Sequence, residues 1–323
     1  MKDVTSEAAE RRLLALHQAM GPVLASALAD PLVVEVMVNP DGAIWVERAG
    51  EGRVLRCERL GADACERILR LVADHAGEVV TAEQPLLSAV LPVTGERFQG
   101  VYMPIASSPC FAIRKRASAI FTLKDYFRQG VMTADQAAVL ANAAAARANI
   151  LIVGGAGTGK TTLANAVLAL PAFANERVII IEDTAELQCA ASDQIALLTR
   201  RADPPVAMAD LVRAALRLRP DRIVIGEVRD AAALDLIKAW NTGHPGGLAT
   251  LHANSALEAL LRLEDLIGEA VVQIPHRSIG QAIDLIAFLG RTPEGRRLEG
   301  LVHVEEWREG GYHTRDVGGD PHF

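Results

Sequence analysis

The stretch GGAGTGKT, Gly154 to Thr161, constrains this chain more than any other part of it. It follows the apolar run Asn149 to Val153 and precedes a helix-forming run, Thr162 to Leu170. A glycine-rich turn that ends in Lys-Thr between a strand and a helix has the pattern and setting of a phosphate-binding P-loop. Phosphates need many converging N–H donors. Gly154, Gly155, Gly157 and Gly159, with Ala156 and Thr158 among them, let the backbone wrap closely, and the helix that follows directs its positive end at the anion. In an ATP site Lys160 is expected to reach the β and γ phosphates and the Thr161 hydroxyl to hold Mg²⁺, with Thr162 beside them. The bland reading is a glycine-rich turn with no ligand. A dinucleotide loop is excluded by spacing, because Lys160 stands where GxGxxG needs its third glycine.

A P-loop belongs to a parallel sheet covered by helices, and from Thr133 onward helical and strand patterns alternate as that requires. At 323 residues the chain exceeds one ordinary core. Before the loop, Val33 to Asn39 and Ile44 to Arg48 flank the turn Pro40-Asp41-Gly42. A helix is expected over Asp63 to Ala76 with Asp63 as its cap, then strands over Leu86 to Val93, Arg97 to Pro104 and Cys110 to Arg116. This predicts an N-terminal α+β domain over 1–116, a linker or hinge over 117–130, an α/β P-loop domain over 131–309 and a poorly ordered polar tail over 310–323.

Half the residues are apolar, 23% are charged and only 4% aromatic, which fits cores of Ala, Leu, Val and Ile and argues against extensive disorder. The net charge of −7 leaves no overall electrostatic footprint for nucleic acid, so direct nucleic-acid binding is not expected. Cys57, Cys65, Cys110 and Cys189 form no CxxC pair, so neither a zinc site nor a disulfide framework is indicated, and the reducing cytoplasm is favoured. The N-terminus alternates charged and apolar residues as an amphipathic helix does, and Ala137 to Gly159 divides into helix, strand and loop. No transmembrane segment is expected.

Three further elements fall at strand ends. Arg177 to Ile181 runs into Glu182-Asp183-Thr184-Ala185-Glu186; beside a P-loop, at least one of these carboxylates is expected to ligate Mg²⁺, the alternative being a helix cap with Asp183 or Thr184 capping and Glu186 completing the box. Arg222 to Ile225 runs into Gly226-Glu227, the Walker B layout. Glu227 is the expected catalytic base, against the alternative of a cap for the helix starting near Asp230. In TGHPGGLATLHAN two histidines flank the strand Leu248 to Leu251. Either histidine is structural or senses phosphate, and the spacing of His244 and His252 is not that of a zinc-binding HExxH.

Walker A at Gly154, the acidic box at Glu182, Walker B ending in Gly226-Glu227 and the histidine box through His252 resemble, in this order, the secretion traffic ATPases. LRLRPDRIVIGEVRD and NTGHPGGLATLHANS look most like the TrbB-type conjugal-transfer branch, and GERFQGVYMPI and FAIRKR resemble that family's nucleotide-contacting strands. The resemblance implies a C-terminal RecA-like P-loop ATPase domain behind a smaller N-terminal α+β domain. It also implies a homo-oligomer, a hexameric ring at the cytoplasmic face of the inner membrane, working with inner-membrane secretion-channel proteins in substrate export and pilus assembly. ATP and Mg²⁺ are the implied ligands, with Glu182 joining the catalytic set. His252 joins the ATP-binding set, and Asp183 and Glu186 join Thr161 at the metal. Arg114 and Arg97 would reach the phosphates as the N-terminal domain closes, and Arg217 and Arg219 serve that pocket, its neighbour or a surface. No tetracysteine insertion of the type II secretion kind and no AIR-type helix of the pilus-retraction kind is found. A RecA-like nucleic-acid translocase and a nucleotide-gated scaffold are the readings from other classes.

Overall fold

The computed structural model describes residues 2–48, 52–115, 120–200, 204–293 and 295–318, the side chains of 2–9 and of Cys57 excepted. Two compact units divide the chain, Met1–Ser118 and Ala119–Phe323.

The first unit opens with α1 (Lys2–Ala29), broken at Gly21-Pro22, where Gly21 takes φ 66° and proline supplies no N–H to the helix. β1 (Val33–Val38), β2 (Ala43–Arg48) and β3 (Gly52–Arg59) follow, then α2 (Ala62–Ala76), β4 (Leu86–Val90), β5 (Arg97–Val101) and β6 (Cys110–Arg114). The strands form one sheet in the order β3-β2-β1-β6-β5-β4. Cys65, Ile68, Leu69 and Val72 of α2 bury one helical stripe in the same core as Leu16, Met20 and Leu24 of α1. Two details differ from the sequence expectation. Gly61 caps α2, leaving Asp63 in the first turn, where its charge still favours the helix dipole. β3 is an added strand whose side chains are largely exposed, so no apolar alternation marks it. Arg116 of the expected strand lies outside the described residues.

The second unit contains α3 (Leu123–Arg128), α4 (Ala134–Ala145), β7 (Ile150–Gly154), α5 (Lys160–Leu168), a 3₁₀ turn (Pro171–Phe173), β8 (Arg177–Glu182) and β9 (Asp193–Leu198). It continues with α6 (Met208–Ala215), β10 (Arg222–Val228), α7 (Ala232–Asn241), β11 (Leu248–Leu251), α8 (Ala256–Gly268), α9 (His276–Ala282), β12 (Leu285–Thr292), β13 (Gly295–Arg308) and β14 (Gly311–Asp316). Its sheet runs β14-β13-β12-β7-β11-β10-β8-β9. The six strands from β12 to β9 are parallel, while β13 and β14 add an antiparallel edge. β7 is buried along its whole length, as a continuous apolar run between two helical layers must be. This is the helix-covered parallel sheet expected from the P-loop, in the RecA-like form that the resemblance implies.

Two expectations are corrected. Residues 120–130 of the supposed linker carry α3, closed by a Thr122/Asp125 capping box and packed through Leu123 and Tyr126 into the core of the second unit; 117–119 lie outside the described residues. The supposed tail contributes β14, which pairs with β13 through polar residues tolerated on an edge strand, and residues 319–323 are outside the description.

The N-terminal ends of the parallel strands are held by two buried polar side chains. Asn149 Oδ1 accepts from the N–H groups of Gly246 and Gly247 at 2.8 and 3.0 Å, and its Nδ2 donates to Ala282 O at 2.8 Å. Arg222 is 1% exposed. It pairs with Glu176, donates to the carbonyls of Ala144, Gly246 and Ala172, and lies 4.4 Å from the Phe173 ring centroid. Removing the guanidinium deletes its hydrogen bonds to buried carbonyls and leaves Glu176, 20% exposed, with Arg147 at 3.5 Å, at a cost of about 1–3 kcal/mol. Arg222→Met should therefore lower the thermal unfolding midpoint sharply, with Arg222→Lys recovering only part because a point charge cannot replace the planar fork. Circular dichroism melts check this, and an unchanged midpoint in Arg222→Met would count against it.

Candidate functional site

The C-terminal ends of β7, β8, β10 and β11 lie along one edge of the sheet and place the sequence-marked residues together. β7 ends at Gly154, a position that only glycine fits beside its register partner Leu289 on β12, whose carbonyl oxygen would lie 2.4 Å from a Cβ. The loop then exposes Ala156 and Gly157, and Thr158 closes it by donating to Gly155 O at 3.0 Å. Gly159, at φ 100°, turns the chain into α5. The first helical N–H groups, those of Lys160, Thr161 and Thr162, have no intrahelical acceptor by construction and lie where an anion is best stabilised. The Arg296 side chain packs beside Gly159, since a Cβ there would touch Arg296 Cδ and Nη1 at 3.6 Å.

Lys160 is 7% exposed. Its ammonium donates to the carbonyls of Gly154 and Gly155, both at 3.0 Å, and reaches His252 Nδ1 at 3.2 Å. His252 follows β11, and its Nε2 lies 2.8 Å from Glu227 Oε1. The ammonium also lies 3.4 Å from Nε2, so it sits against the ring as a whole, and it is the Glu227 contact that places the proton on Nε2, which donates to the carboxylate. Burial, and next the Lys160 charge, hold the imidazole below the ordinary histidine range against the opposing pull of Glu227. The ring is therefore neutral at pH 7.

Glu227 belongs to β10, with Thr250 of neighbouring β11 donating to Gly226 O at 2.6 Å to fix the strand end. Its second oxygen pairs with Arg229, whose Nη1 lies 3.4 Å from Asp183 Oδ2. Asp183 Oδ1 accepts from Thr199 Oγ1 at 2.8 Å. The helix-cap reading of the acidic box is overturned, because β8 is followed by a bend and irregular chain that leads to β9, with no helix to cap. Glu182, 4% exposed, accepts from the N–H groups of Glu186 and Leu187 at 2.8 and 2.9 Å. It thus orders the loop that carries Asp183 and Glu186. Gly226 gives it room, since a Cβ there would come within 2.8 Å of Glu182 Cγ. Among the described residues no three His, Cys, Asp or Glu side chains form a metal cluster. A cation held here would rest on Thr161, one carboxylate and the phosphates, the sparse protein ligation that Mg²⁺ commonly accepts.

Other expected residues lie elsewhere. His244 precedes β11, at the sheet edge opposite His252, and Arg217 and Arg219 precede β10 at that same opposite edge. None of the three belongs to the phosphate edge of this chain. Arg97 and Arg114 are register partners on β5 and β6 of the first unit, and Glu35 faces Arg114 from β1. Arg229, Thr199 and Arg296 were not anticipated. The signal for Arg229 was its position two residues past Glu227, which returns a side chain to the same side of an extended strand.

Among the described residues no helix is long and apolar enough to cross a membrane. The model of the family described as "Type II/IV secretion system protein" matches residues 21–292. The chain is 48% identical over 299 residues to the "Probable conjugal transfer protein TrbB" of Sinorhizobium fredii, covering 92% of this chain and 91% of that protein. It is 46% identical over 301 residues to the "Conjugal transfer protein TrbB" of Rhizobium radiobacter, covering 93% of this chain and 92% of that one. In fold it is similar to the X-ray structure of the Yersinia pseudotuberculosis ATPase DotB, with a TM-score of 0.63 and 18% identity over 91% of this chain and 81% of that chain. A P-loop, an acidic box, a Walker B strand and a histidine joined at one sheet edge agree with these likenesses, and the chain belongs to the type II/IV secretion system protein family.

Proposed function

We propose that this chain is a Mg²⁺-dependent ATPase that powers type IV secretion and conjugal transfer, working as a homo-oligomeric, hexameric ring at the cytoplasmic face of the inner membrane with the channel proteins there. The observation that carries the ATPase reading is the direct contact sequence from Lys160 through His252 to Glu227, which links the phosphate loop to a carboxylate at the adjoining strand end. The residues fit the ligands: a loop closed around glycines, an ammonium at its centre and carboxylates alongside. Gly154 to Thr162 would bind the ATP phosphates, with Arg114 and Arg97 as further phosphate ligands from the first unit. Thr161 with Glu186 or Asp183 would hold Mg²⁺. The bound cation would neutralise phosphate charge.

In this mechanism the Lys160 ammonium exchanges its hold on the Gly154 and Gly155 carbonyls for the β and γ phosphates. Glu227 accepts a proton from the attacking water as that oxygen bonds to the γ phosphorus and the bond to the ADP oxygen breaks. His252, neutral and donating, holds Glu227 in place. Glu182 acts by ordering the loop that carries the neighbouring carboxylates.

Three outcomes test the reading. Lys160→Ala should weaken ATP binding and reduce phosphate release by about 10²–10³-fold, the scale of losing one preorganised charge at developing anionic oxygens. Near-normal release would remove Lys160 from the site. Glu227→Gln should keep ATP affinity while losing about 10²-fold or more in turnover, since the amide preserves shape without basicity; titrating binding alongside release separates the two. The third concerns pH. Because His252 is held below its ordinary value of about 6.5, turnover governed by its neutral form should stay level through pH 7 and decline only below that value as the ring gains a proton. His252→Asn should lose this acid limb, and a limb of the same midpoint in that variant would assign the titration to another group.

A further inference from the structure

Arg229 touches two carboxylates that come from different strands. One Nη pairs with Glu227, the second residue before it in the chain, and the other lies 3.4 Å from Asp183, which follows β8. Asp183 does not end the series, because its other oxygen accepts from Thr199 Oγ1 at 2.8 Å, one residue beyond β9. Glu227 is meanwhile held on its first oxygen by His252 at 2.8 Å. Its carboxylate plane is thus fixed from both sides, by a neutral donor from β11 and by a guanidinium braced on β8 and β9. The Glu227 hydrogen bond is the foremost cause raising the Arg229 pKa, so this arm stays charged and engaged.

A lone surface ion pair contributes little. This guanidinium differs in spanning two strand ends at the mouth of the sheet, with its fork divided between two carboxylates, a task that its rigid planar donors suit and a lysine does not. General-base efficiency depends on where the accepting oxygen points, and a displacement of about 1 Å costs up to roughly 100-fold.

Resting on the ATPase reading above, we propose that Arg229 is the positioning residue for the Glu227 base, and that Asp183, braced by Thr199, serves as the anchor of Arg229 and not as a cation ligand. The acidic box then contributes to turnover through the orientation of Glu227, and Mg²⁺ relies on Thr161 and the remaining carboxylates.

The test uses the full chain and measures kcat and KM for ATP by phosphate release, Mg²⁺ dependence, and the thermal midpoint. Arg229→Gln should lower kcat by about 10- to 100-fold while KM and the midpoint stay near wild type, and Arg229→Lys should recover part of the rate. Combined with Glu227→Gln, Arg229→Gln should add no further loss, as residues acting as one unit do not multiply. Asp183→Asn should reproduce part of the kcat loss with an unchanged Mg²⁺ requirement. Wild-type kcat in Arg229→Gln, multiplying losses in the double variant, or an Asp183→Asn defect repaired by added Mg²⁺ would each overturn the proposal. If Arg229→Gln does not fold, the cycle with Glu227→Gln is run on Arg229→Lys under the same criteria. An inactive wild type or a fully active Glu227→Gln would overturn the ATPase reading and this one together; a dead Glu227→Gln beside a fully active Arg229→Gln would overturn this one alone.

Discussion

The phosphate edge depends on a buried ammonium. A charge withdrawn from water is tolerated only where fixed dipoles replace the water, and Lys160 has two carbonyls of its own loop at 3.0 Å. The first of those carbonyls belongs to Gly154, where the close carbonyl of Leu289 leaves no room for a side chain. The same requirement orders the neighbours. With β11 beside β7 and β10 beside β11, the chain just past β11 brings His252 against Lys160, and the end of β10 brings Glu227 against His252.

The two ends of the parallel sheet do different work. At the N-terminal end, the buried side chains of Asn149 and Arg222 tie neighbouring strands and loops to one another through hydrogen bonds to backbone groups. At the C-terminal end the polar groups are partly open, with Glu227 and Asp183 side chains 18% and 32% exposed.

Much of this was legible in the sequence, for identifiable reasons. β7, β8 and β10 carry apolar runs that give way to glycine or acid, and the short run of β11 gives way to His252, a pattern that burial on both faces favours. β9, β3 and β14 were not legible, because an edge strand meets solvent along one side and its composition resembles a loop. α3 carried its capping box in plain view, but six residues of mixed charge show no helical stripe. In the site, Lys160 and Glu227 were marked by motif. The separation of His244 from His252 was implicit in the strand read between them, whereas the link from Arg229 to Asp183 depends on the adjacency of β10 and β8, which no local spacing encodes.

The terminal hairpin has a practical meaning for anyone handling fragments of this chain. Leu298 of β13 donates its N–H to Val131 O at 2.7 Å and accepts from Gln136 Nε2 at 3.2 Å, while Arg296 lies against the phosphate loop. The last strands therefore clasp the entrance of the second unit to its sheet. A fragment cut after β12 would bare a long row of backbone donors and acceptors, an invitation to edge-to-edge self-association. The boundary of a well-behaved fragment of the second unit falls beyond Asp316.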